Sequence, residues 1–115
     1  MPMDLARATL KEVIDGLEKH EFSSRDVVDS CLAVAKKNID RTHAYVEVFE
    51  NSARRAADEA DTRRRYSLHK SPLDGVPIAI KDNMLLVGSK ATAGSAIISN
   101  YESPYDATAV KRLRD

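Results

Sequence analysis

The sequence contains no tryptophan, and aromatic residues make up only 5% of it. Its core must therefore be built from Ala, Val, Ile and Leu. There is one cysteine, Cys31, which excludes an internal disulfide framework and any Cys-based zinc site within a single chain. That usage fits a reducing compartment. No charge of either sign is in excess: 18 Lys and Arg offset 18 Asp and Glu, so nothing drives the chain as a whole toward nucleic acid or an anionic membrane. No apolar run approaches the roughly 18 to 20 residues of a spanning helix. The first eleven residues include Asp4 and Arg7 and lack an apolar run of signal-peptide length. The expected location is cytoplasmic, or organellar in a eukaryote, with no membrane partner. Glycine-rich phosphate loops are also missing, so ATP is not expected to bind this chain. The three histidines, His20, His43 and His69, are too scattered for a metal site and read as surface residues.

What is present is mostly helical patterning. Leu10, Val13, Ile14 and Leu17 fall on one stripe at i, i+3, i+4 and i+7. Leu5 extends it backwards, Asp4 is the expected N-cap, and Lys19 and His20 suit the negative end of the helix dipole. A second start is signalled by Ser23 and Asp26, a capping box with Asp in place of Glu or Gln. Phe22 and Val27 stand where a hydrophobic staple places its partners. Val28, Cys31, Leu32 and Ala35 continue this stripe, which makes Cys31 a small core residue rather than a reactive thiol. Residues 44–49 carry the β-propensity of Tyr45, Val46, Val48 and Phe49 and predict a short strand. Asn51 is the expected cap of a third helix, whose face is Ala53, Ala56, Ala57 and Ala60. Such small side chains bury little area each, so this helix needs a larger body to lean on. The run Arg63, Arg64 and Arg65 reads as a solvated helix end in preference to an RNA contact.

Residues 71–75 hold a Pro and Asp-Gly turn signal. The apolar run 76–80 follows and predicts a buried strand, with Pro77 near its start. Lys81 stands directly after it. A desolvated lysine has a lowered pKa and can serve as a general base near neutral pH. Asp82 and Asn83 are expected to satisfy backbone groups beside it. Asp106 is the expected cap of a last helix with Ala107, Val110 and Leu113 on one side. No Gly, Asn or Pro stop follows, so the chain is expected to be cut from a longer one.

The segment Leu73-Asp74-Gly75-Val76-Pro77-Ile78-Ala79-Ile80-Lys81-Asp82-Asn83 resembles the lysine motif of the amidase-signature family. Ala91-Thr92-Ala93-Gly94-Ser95 and Tyr105-Asp106-Ala107-Thr108-Ala109-Val110 are similar to the stretches that follow it in the A subunits of tRNA-dependent amidotransferases. The resemblance implies an α/β fold in which helices pack on the first strands of a mixed sheet. It makes residues 1–115 the N-terminal portion of a single amidase domain. Residues 1–70 are then mainly helical, and 71–115 hold the lysine-motif strand and the following helix. The family hydrolyses amides with a Ser–cis-Ser–Lys triad, in which the lysine, here Lys81, takes the proton from the nucleophile through the bridging serine. In the amidotransferases, ammonia from glutamine passes to a partner that amidates Glu-tRNA(Gln) or Asp-tRNA(Asn). The implied partners are subunits B and C of a heterotrimer, with tRNA bound through the complex. No cofactor is implied in this chain, while ATP and Mg fall to a partner subunit.

The Gly/Ser-rich stretch carrying the two serines has no equivalent in these residues. Ser95 and Ser99 correspond to positions that are not nucleophiles, and Ser95 is expected to cap a turn. A base without its nucleophile cannot run covalent catalysis, so the chain alone is expected to lack glutaminase activity. Two other readings stay open: part of another amidase acting on small-molecule or aryl amides, and a non-catalytic α/β interaction module.

Overall fold

The computed structural model describes residues 3–115. They form two compact units, one ending at Pro77 and the other spanning Ile78–Asp115.

The first unit holds three helices: α1 (Leu10–Glu18), α2 (Ser24–Thr42) and α3 (Glu50–Arg65). Helix α1 starts on a full capping box. The Thr9 hydroxyl accepts from the Glu12 amide at 3.3 Å, and the Glu12 carboxylate accepts from the Thr9 amide at 2.7 Å. The cap is therefore Thr9 and not Asp4. Asp4 instead makes a local turn, its carboxylate accepting from the Ala6 amide and its carbonyl from the Arg7 amide. Leu5, though outside the helix, still packs on the core. The helix ends in a Schellman motif, with the His20 amide bonded to Leu17 O, the Glu21 amide to Gly16 O, and His20 left-handed at φ +56.

Helix α2 starts as its sequence predicts. The Ser23 hydroxyl accepts from the Asp26 amide at 3.0 Å, and Asp26 accepts from the Ser23 amide at 2.9 Å. A distant residue completes the cap. The Asp61 carboxylate on α3 accepts from the Ser24 amide at 2.6 Å and the Arg25 amide at 3.0 Å. All three amides of the first turn are thus satisfied. Phe22 packs on the cluster of Val13, Leu17 and Val27, to which the expected staple partner belongs. The ring lies on the bare side of Gly16, where an added Cβ would stand 2.1 Å from its tip.

Two small clusters make the core. Val13, Leu17 and Val27 form one, with Cys31 and Val76 among the side chains around it. Val28, Leu32 and Ala57 form the other, flanked by Val48 and Ala53. Helices α2 and α3 pack directly together. The buried stripe on α3 is Ala57, Ala60 and Arg64, with Ala53 half-buried; Ala56 is exposed. Ala57 and Ala60 are thus covered within this unit, and Ala56 is not. Ion pairs border the stripe, among them Arg25 with Asp58 and Arg54 with Asp29. Each is solvent-accessible, so water screens it and it adds little to stability.

Other expectations for this unit need correction. Residues 44–49 form no strand. A strand needs a neighbour for its amides, and the described residues offer none there. Asn51 does not cap α3; the cap residue is Phe49, which makes no side-chain cap bond. The arginine run is a solvated end only at Arg65. Arg63 grips the Asp74 carboxylate through two nitrogens at 2.8 and 2.7 Å. Arg64 is buried, donating to Asp74 O, Pro72 O and the Glu18 carboxylate. Arg63 and Arg64 therefore clamp the 71–75 turn and the end of α1, while Arg65 is exposed. The turn itself closes as predicted, with Val76 N to Leu73 O at 3.0 Å and Gly75 at φ +94.

The second unit holds a 3₁₀ turn (Ala96–Ile98) and α4 (Thr108–Arg114). No strand forms among the described residues, and the one antiparallel bridge joins Lys90 to Glu102. The predicted strand over residues 76–80 is present as chain without helix or ladder, because no neighbouring strand lies among the described residues to pair it. Interior positions go to Ser89, Ala91, Ser103 and Val110. Asp106 is not the cap of α4, which is Ala107. Its carboxylate accepts instead from the Val87 amide at 2.8 Å and lies 3.4 Å from Arg114. Leu113 is exposed, so Val110 alone anchors the helix face.

Candidate active site

Lys81 sits at the start of a turn in which the Met84 amide donates to Lys81 O at 2.9 Å. Its side chain is exposed, and its ammonium makes no hydrogen bond or ion pair among the described residues.

The next residue is tied down tightly. The Asp82 carboxylate accepts from the Thr92 amide at 3.1 Å and, through its other oxygen, from the Thr92 hydroxyl in a short bond. Asp82 O accepts from the Ala93 amide at 3.2 Å. The Thr92 hydroxyl bond, followed by the bond from its amide, holds the Asp82 carboxyl below the usual carboxylate range, and the charge of Lys81 adds a weaker pull. Asp82 thus has the structural work expected of it, whereas Asn83 is exposed.

Neither candidate serine hydrogen-bonds Lys81; both bond locally. Ser95 caps the 3₁₀ turn, accepting from the Ile97 amide at 3.3 Å, as its sequence predicts. The Ser99 hydroxyl donates to Ala96 O at 3.0 Å. Of the histidines, His20 and His43 occupy left-handed helix ends, and His69 lies 3.5 Å from Glu18. No cluster of three or more metal-ligating side chains occurs among the described residues, and no helix among them is long and apolar enough to cross a membrane. A cleft of about 440 Å³ in the first unit is lined by Leu17, His20, Phe22, Ser23, Asp61, Arg64 and Arg65. Ser23, Asp61 and Arg64 there are already committed to capping and clamping, so the cleft offers little free chemistry.

What this arrangement supplies is one accessible amine on a pinned turn, with no hydroxyl or thiol hydrogen-bonded to it among the described residues. The sequence model of the Amidase family matches residues 26–115, which include Lys81, Asp82, Thr92, Ser95 and Ser99. The chain belongs to the amidase family. Its similarity to amidase relatives runs along nearly its whole length. It is 40% identical over 113 residues to the A subunit of the Glutamyl-tRNA(Gln) amidotransferase of Geobacter sulfurreducens, covering 98% of this chain and 23% of that one. It is 39% identical over 113 residues to the protein of the same name from Halothermothrix orenii, with 98% and 22% covered. The chain thus spans less than a quarter of the length of these curated relatives. A solved structure described as a vestigial protein complex revealing the origins of an s-triazine catabolic enzyme superposes with a TM-score of 0.86 at 30% identity, covering 93% of this amidase chain and 24% of that one.

Proposed function

We propose that these residues are the N-terminal part of the glutamine-hydrolysing A subunit of a tRNA-dependent amidotransferase. The observation that carries the reading is the 40% identity to such a protein over 98% of the chain. In this reading the downstream part of the domain supplies the remaining strands of a mixed α/β sheet and both serines. It also covers apolar groups such as Ile97, which is 94% exposed. Lys81 is the base. It takes the proton of the nucleophilic serine through the bridging serine and returns it to the departing ammonia. Subunits B and C receive that ammonia, hold ATP and Mg, and present the charged tRNA. The 115-residue chain by itself releases no ammonia from glutamine in this reading, because the two serines of the triad have no equivalent among its residues.

The test is a chimera in which this chain replaces the matching segment of the Geobacter sulfurreducens protein, assayed for ammonia release from glutamine. The chimera is expected to be active, and Lys81→Ala to lower kcat by about 10²- to 10⁴-fold. A folded chimera unaffected by Lys81→Ala would remove the lysine from the mechanism. Activity in the isolated 115-residue chain would overturn the claim that the chain lacks its nucleophile.

The structural neighbour supports a second reading, part of an amidase acting on small-molecule amides. A chimera that turns over an aryl amide while leaving glutamine intact would favour it. A non-catalytic interaction module would show neither activity in any chimera.

A further inference from the structure

Lys81 lies outside any helix or ladder. Its side chain has no partner among the described residues, so its backbone must be held by neighbouring residues. The Met84 amide on Lys81 O makes one bond. The remaining restraint comes from the adjacent Asp82, which commits both carboxylate oxygens to Thr92 and its carbonyl to Ala93. These three bonds close the loop between residues 82 and 92 at its base. Thr92 is fixed in turn, since its hydroxyl also accepts from the Gly94 amide at 3.2 Å. Ala93 and Gly94 are both left-handed, at φ +49 and +73, which curls the 92–95 backbone toward the carboxylate. A carboxylate with two acceptors fits the adjacent N–H and O–H of a threonine, and it has no such match with valine.

We propose that Asp82 and Thr92 are positioning residues for Lys81. This rests on the reading of Lys81 as the base. A general base must lie within roughly 2.6–3.2 Å of the proton it takes. An exposed lysine on an untethered loop samples many positions outside that range. Asp82 holds the Cα next to Lys81 in place, and Thr92 holds Asp82. The pair also leaves the carboxylate oxygens occupied, so that Asp82 does not capture the neighbouring ammonium.

The test uses the same chimera, with kcat and KM measured separately and hydrogen exchange followed across residues 82–95. Asp82→Ala is expected to lower kcat by about 10- to 100-fold, as for a reacting group displaced by about 1 Å. KM should stay within about two-fold, since the pair binds no substrate. Thr92→Val should lower kcat in the same direction, and Thr92→Ser, which keeps both donors, should restore it to within about three-fold of the parent. Exchange of the Thr92 and Ala93 amides should accelerate in Asp82→Ala while the first unit is unchanged. Parent-like kcat in both Asp82→Ala and Thr92→Val, with Lys81→Ala inactive, would overturn the positioning role and leave the Lys81 reading intact. An active Lys81→Ala would instead sink the reading on which the inference rests. Equal loss of activity in Thr92→Ser and Thr92→Val would also overturn it, because the hydroxyl would then not be what matters.

Discussion

Asp74 offers the sharpest quantitative test of the first unit. Its side chain is only 7% exposed and faces the Arg63 guanidinium. The two bonds from Arg63 hold its carboxyl down from 3.8 to about 2, against the opposing effect of desolvation and with help from the Lys70 amide. Lowering a pKa by one corresponds to about 1.4 kcal/mol, so the ionised carboxylate stabilises the folded state by about 2 kcal/mol at neutral pH. The folded pKa is depressed. The contribution is therefore fully present above pH 3.8 and is lost as pH falls through about 2. Asp74→Asn keeps the shape and removes the charge. Urea unfolding followed by circular dichroism from acid to neutral pH is the assay. The variant should be about 2 kcal/mol less stable at neutral pH, and the gap should close as the pH falls toward about 2. Other carboxylates, Asp29 and Glu50 among them, are also held low by arginine or lysine partners, so the difference between the two proteins is the quantity to follow. A gap that does not change with pH would refute the ion-pair account. In Arg63→Ala the effect of Asp74→Asn should shrink, since the pair is then already broken.

Further predictions concern single residues. Ser23→Ala removes one half of the α2 capping box and should cost about 1 kcal/mol in the same unfolding assay. Gly75→Ala places a Cβ at φ +94 and 3.0 Å from Ser24 Cβ, so it should destabilise by more than about 1 kcal/mol. Burial pushes the Cys31 thiol up, and it should react with a disulfide reagent slowly in the native chain and readily in urea. His43 ends α2 in the left-handed region, and His43→Gly should raise stability by about 1 kcal/mol, read as a higher urea midpoint.

Much of the helical half is legible because its signals are local. The Ser23 and Asp26 pair and the Val28 to Leu32 stripe involve neighbours in sequence, and each forms as the spacing predicts. Thr9 is the α1 cap in place of Asp4 although its signal, Thr followed three residues later by Glu, is as plain in the sequence as that of Ser23. The role of Asp61 cannot be read in the same way. It caps a helix 37 positions away, and no local pattern marks such a residue. The arginine run misleads for a related reason. A charge run is usually solvated, and only the fold brings Asp74 and the carbonyls of the turn to Arg63 and Arg64. Residues 44–49 and 76–80 have strand composition, but composition supplies no partner strand. At the candidate site, the structural work of Asp82 is readable from the motif, whereas the buried strand expected to end at Lys81 does not form and the lysine is exposed. Thr92 as the partner of Asp82 is not readable, since it lies ten residues on.

The buried guanidinium at the end of α3 also turns the tribasic run into a reporter of local opening. A trypsin-like protease must draw an arginine side chain into its own acidic pocket before it can cut. Arg63 and Arg64 are engaged with Asp74, Pro72 and Glu18, and Arg65 is exposed. Cleavage after any of the three requires the last turn of α3 to unwind, and that turn carries Arg63 and Arg64, so the cut requires their hold on the 71–75 turn to break. The rate of these cuts at low protease, set against cuts elsewhere in the unit, measures how often the clamp opens without the rest of the unit unfolding.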